Sequence, residues 1–126
     1  MLEHFSRKTE RSLFRTRSVQ RDAESDNARV KAIWLVIQQA LQAAEAEHTG
    51  LLKRMDSVMA SALVSLGNGT DEYLTRDAVN NRQLSRLEEE IRNGERRSKE
   101  LSHMIVEFEA LRTALRLKFP DFRESS

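Results

Sequence analysis

The chain contains no cysteine, which excludes disulfides and thiolate metal sites and leaves the fold to noncovalent packing; the absence also fits a reducing compartment. One proline and four glycines among 126 residues leave few places where a helix must stop, and too little turn chemistry for a sandwich of many short strands. Aromatic residues make up 6% of the sequence, too few to line a deep ligand pocket. The longest apolar run covers residues 32–37, far short of the roughly 20 residues a membrane-spanning helix needs, and the N-terminal residues lack an apolar signal core. A cytoplasmic protein with no membrane span is expected. An excess of one charge is missing too: the formal net charge is +1, so the molecule as a whole exerts no strong pull on polyanions.

What the sequence does contain is helical periodicity. Val30, Trp34, Ile37, Leu41, Ala44, His48, Leu51, Met55, Val58 and Ala62 follow alternating steps of four and three residues, the signature of a coiled-coil seam. Gly50 lies inside this series and costs about 1 kcal/mol relative to Ala in a helix interior. The phase nonetheless passes through it unbroken, which argues for one continuous helix. Ser25, Asp26 and Asn27 precede the series with three residues suited to capping, so the first helix is expected to begin there. A second seam uses Leu84, Leu87, Ile91, Gly94, Ser98, Leu101, Ile105 and Phe108, continued less cleanly by Leu111, Leu115 and Phe119. Pro120 marks its expected end, with Arg116 and Lys118 suited to the negative end of the helix dipole. Between the seams stand Gly67, Asn68 and Gly69, a turn signal, with Thr70 or Asp71 placed to cap the second helix.

The fold class expected is therefore all-α: a long antiparallel helical hairpin, coiled-coil-like, dimerising into a four-helix bundle. Its parts are a basic N-terminal arm at 1–25, disordered or marginally helical, a hairpin at 26–119 (helix 26–66, turn 67–70, helix 71–119) and a frayed tail at 120–126. Folding the hairpin about Asn68 sets Trp34, Ile37 and Leu41 opposite Leu101, Ser98 and Gly94, large side chains against small ones.

Few residues suggest chemistry. Glu45 with His48 and Glu100 with His103 form two Glu-x-x-His motifs like those of di-iron bundles, but a fold about Asn68 sets His48 beside Leu87 and Glu88, roughly 15–20 Å from His103. Glu72 with Arg76, Glu88 with Arg92 and Glu95 with Lys99 are spaced to stabilise a helix surface; bases so placed lower a carboxylate pKa, whereas a general acid needs it raised. No nucleophile motif or phosphate loop is present, so no enzyme, cofactor or metal site is expected.

Two surfaces remain. Residues 32–44 carry no charge, and beside the seam they show a second stripe, Ile33, Val36, Ala40 and Ala43; one helix partner cannot cover both stripes, so this one is assigned to self-association in a homodimer. The arm 1–21 holds Arg7, Lys8, Arg11, Arg15, Arg17 and Arg21 against two acidic residues, Glu3 and Glu10, a candidate polyanion-binding segment. The function expected is a non-enzymatic structural or interaction protein that self-associates and presents a helical face to a protein partner. The alternative is a nucleic-acid-associated accessory protein that binds phosphates through the arm.

Overall fold

The computed structural model describes residues 2–67 and 73–125, with side chains described at 18–65 and 80–125. The described residues are almost entirely helical and contain no strand: α1 (Leu2–Gly67) and α2 (Tyr73–Lys118) pack against each other. The first helix starts far upstream of Ser25, Asp26 and Asn27. Capping residues begin a helix only where the preceding backbone leaves helical geometry, and the first glycine of the chain is Gly50. Asp26 instead accepts from Arg29 one turn on, at 3.1 Å, and the Asn27 amide reaches the C-terminal segment. Both helices run through their interior glycines, α1 past Gly50 and α2 past Gly94. The turn residues 68–70 and the capping positions Thr70 and Asp71 lie outside the described residues, while Gly67 is the last residue of α1.

The chain divides into two compact units, one of Met1–Gln39 with Ala110–Ser126 and one of Ala40–Glu109. In the first, Val30, Trp34 and Leu115 are buried, with Ile37 and Phe122 packed against them. The paired segments run in opposite directions, since Asn27 meets Arg123 and Gln38 meets Arg112. Trp34 thus packs against Leu115 and Phe122, and the seam of α2 continues from Phe108 through Arg112 to Leu115, leaving Leu111 54% exposed. Arg112 can occupy a seam position because its methylene stem covers apolar surface while its guanidinium Nη1 donates to Gln38 Oε1 at 2.9 Å.

The segment after α2 turns back onto its own unit. Phe119 N–H still donates to Leu115 O at 3.0 Å, and Pro120 then prevents the helix from continuing. Phe122 N–H closes a short turn onto Phe119 O at 3.0 Å, and this turn carries the Phe122 ring back onto Trp34.

In the second unit Leu41, Ala44, Gly94 and Leu101 are buried, and His48, Leu51, Met55, Val58, Ala62, Leu87, Ile91, Ser98, Ile105 and Phe108 are half-buried. The segments again run in opposite directions, but the register departs from a fold about Asn68. His48 meets Ser98 and Ser102 and not Leu87 and Glu88, roughly three turns farther along α2. Gly94 lies against Met55: a Cβ built on Gly94 would stand 2.8 Å from Met55 Sδ, whereas one on Gly50 would meet nothing within 4 Å. The two glycines therefore respond oppositely to the same methyl group. Gly50→Ala is expected to stabilise the chain by about 0.8–1 kcal/mol through helix propensity. Gly94→Ala carries the same propensity gain but forces the flexible end of Met55 to move, and should fall short of Gly50→Ala by about 0.5 kcal/mol. Parallel urea titrations followed by circular dichroism check this, and equal gains at both positions would show that the contact with Met55 is slack.

Candidate interaction site

The stripe beside the seam of α1 is left largely to solvent. Ile33 is 51% and Val36 65% exposed in the first unit, and Ala43 is exposed and Ala40 half-buried in the second. Ile33, Val36 and Ala43 stand outside the packing of α1 on α2, which uses the neighbouring seam. Ile33 and Val36 are among several large apolar side chains left exposed among the described residues, with Leu63, Val106 and Leu117. In the first unit Leu111 of α2 is also exposed, because the seam passes through Arg112.

Charge on the second unit is organised in pairs. Arg97 forks onto Glu47, with Nε to Oε2 at 2.7 Å and Nη2 to Oε1 at 3.1 Å, and its Nη1 donates to Glu100 at 3.2 Å. Arg96 reaches Glu100 at 3.1 Å. The hydrogen bonds from Arg97 hold the Glu47 carboxyl below its ordinary range, and Glu47 and Glu100 in turn raise the Arg97 guanidinium. A carboxylate tuned downward stays ionised and cannot act as a general acid near neutrality. A groove of about 560 Å³ lies alongside, with Leu51, Met55, Val58, Ile91, Glu90, Arg54, Arg96 and Arg97 in its lining. Of its bases, Arg96 and Arg97 are already paired with Glu100 and Glu47.

His48 places Nε2 3.0 Å from Ser98 Oγ and 3.3 Å from Ser102 Oγ. The pairing resembles a base beside a hydroxyl nucleophile, yet both serines lie inside α2, where backbone N–H groups are committed to helical hydrogen bonds and cannot form an oxyanion hole. The arrangement satisfies a polar residue in the seam. The register also overturns the separation of roughly 15–20 Å expected between the two Glu-x-x-His motifs. His103 is a sequence neighbour of Ser102, which His48 touches, but it is exposed on the outer side of α2; Glu45 is exposed, and Glu100 is engaged by Arg96 and Arg97. Among the described residues no group of three or more His, Asp or Glu gathers as a metal site.

The first unit holds a constellation that sequence patterning missed. Asn27 Nδ2 donates to Arg123 O at 3.3 Å, and Asn27 Oδ1 accepts from Arg123 N–H at 2.9 Å. The Trp34 and Phe122 rings lie 5.5 Å apart, tilted by 48°. The Arg116 guanidinium carbon sits 4.4 Å from the Trp34 ring centroid while the same group pairs with Glu124. One signal pointed here: Leu115, Phe119 and Phe122 keep the four-and-three spacing across Pro120. The arm residues Arg7, Lys8, Arg11, Arg15 and Arg17 have side chains outside the described residues, and Arg21 is exposed on α1.

Neither a family model, nor a curated protein, nor a solved structure matches the chain. No helix of the described residues is long and apolar enough to cross a membrane.

Proposed function

We propose that this is a non-enzymatic structural or interaction protein, an antiparallel coiled-coil hairpin that self-associates into a four-helix bundle through Ile33, Val36, Ala40 and Ala43 and offers a further helical face to a protein partner. The observation that carries the reading is the exposure of Ile33 and Val36 in the middle of the uncharged stretch 32–44. The stripe is also complementary to itself. Laid antiparallel on a second copy, Ile33 falls opposite Ala43 and Val36 opposite Ala40, so each layer joins a large residue to a small one. The polyanion reading of the arm rests on its charge alone.

Sedimentation equilibrium tests the proposal. The wild-type chain is expected at twice its own mass at micromolar concentration. Val36→Glu, which would bury a charge in the two-fold interface, should shift it to the monomer, and Gln42→Glu, the same added charge at an exposed site outside the stripe, should leave the dimer intact. A monomeric wild type, or equal effects of the two substitutions, would sink the proposal.

A further inference from the structure

The contacts of the C-terminal segment are those of a peptide in a binding site. Asn27 offers one donor and one acceptor to the backbone N–H and C=O of a single residue, Arg123, which is what a neighbouring β-strand offers and which reads no side chain. On one side of that residue Phe122 is received by the Trp34 ring at 5.5 Å. On the other side Glu124 is received by Arg116. Arg116 is itself held in place by stacking over Trp34 at 4.4 Å, so its fork is set before the acid arrives. Asn27, Trp34 and Arg116 come from the bodies of α1 and α2, and the ligand residues from the non-helical segment beyond Pro120. The receiving groups are thus fixed by helix packing. The received ones hang on a short turn, with both Asn27 hydrogen bonds and the ion pair exposed to water.

We propose that Asn27, Trp34 and Arg116 form a peptide-binding site, specific for a segment with an aromatic residue, then any residue, then an acid. Residues 119–124 fill this site in cis as a displaceable strap. The inference stands apart from the self-association proposed above, since Ile33 and Val36 take no part in it. The site recognises the shared backbone of any peptide through Asn27 and takes its selectivity from the ring and the carboxylate. Because the strap is tethered, it competes at an effective concentration in the millimolar range, and the site opens to an outside peptide only when the strap is weakened.

The test keeps the full-length chain. In Phe122→Ala/Glu124→Ala the strap loses its ring and its acid but keeps its backbone, and the probe is a labelled peptide with the sequence of residues 119–126, followed by fluorescence anisotropy. Saturable binding is expected at least about tenfold tighter than to the wild type, lost when Asn27→Ala is added and lost for a peptide whose second Phe and Glu are replaced by Ala. No binding by a folded double variant, or binding indifferent to Asn27→Ala, would overturn the site. If the double variant does not fold, amide exchange in the wild type decides. A displaceable strap lets the Arg123 N–H exchange at least about tenfold faster than the Leu115 N–H after correction for intrinsic rates. Equal protection would mean that the segment opens only with the whole unit, and the proposal would fail.

Discussion

Trp34→Ala is expected to cost about 3 kcal/mol of folding stability, measured by urea titration followed through helical circular dichroism. The side chain is 6% exposed and forms, with Val30 and Leu115, the buried cluster of its unit. Truncation removes the largest side chain of that cluster together with the ring that receives Phe122 and the face on which Arg116 stacks. The lower end of the usual range for such truncations applies because half-buried Ile37 and Phe122 border the site and can partly collapse into it. Circular dichroism is needed since Trp34 is the sole tryptophan, and its fluorescence disappears with it. Trp34→Phe, which keeps a ring for Phe122 and Arg116, should lose less than half as much. A loss below about 1 kcal/mol for Trp34→Ala would mean that the ring is not a core residue.

The second large effect lies in the other unit. Leu101 is 1% exposed, the most completely buried large side chain among the described residues, and sits between Ser98 and Ser102, both held by His48. That polar pair on either side restricts relaxation, because the helices cannot close on a void at Leu101 without moving hydroxyls that are already bonded. Leu101→Ala is therefore expected to cost about 3–4 kcal/mol. Val106→Ala, at a side chain 59% exposed in the same unit, should change stability by no more than about 0.5 kcal/mol. Thermal and urea unfolding of the two variants side by side provide the check, and comparable losses at both positions would contradict the burial pattern.

Periodicity located the apolar seams because burial along a packed helix must recur at its turn. Each of the ten seam residues named on α1, from Val30 to Ala62, is buried or half-buried. It could not locate the register. A seam that repeats every seven residues offers a similar apolar face after a slide of one or two heptads, so Trp34 is served almost as well by Leu101 as by Leu115, and the turn signal at Gly67, Asn68 and Gly69 chose between them wrongly. The pairs that choose correctly are singular ones: Met55 with the notch at Gly94, His48 with two serines, Gln38 with Arg112, Asn27 with the backbone of Arg123. None of these is periodic, and three of the four involve polar groups that a search for apolar spacing passes over. The same blindness hid the strap. Asn27 looked like a cap because its amide suits a helix start, whereas its partner lies 96 residues away. The uncharged stretch 32–44, by contrast, marked in the sequence where Ile33 and Val36 lie exposed.

The singular pairs make the chain sensitive to length in a way its apolar pattern is not. A deletion of seven residues within α2 between Gly94 and Tyr73 would return every seam position to the same angular face, so the hydrophobic pattern of the shortened chain would look intact. Deletion of a seven-residue stretch that includes both Gly94 and Ser98 would instead demand that the Met55 notch and the His48 layer be filled by residues from elsewhere on α2, where the seam offers leucine and isoleucine. The glycine and the serines thus act like the teeth of a vernier, marks that coincide at one setting of two scales whose other graduations all look alike. Sequences related to this one by descent should accordingly tolerate exchange among apolar seam residues more readily than insertion or loss of whole heptads between these marks.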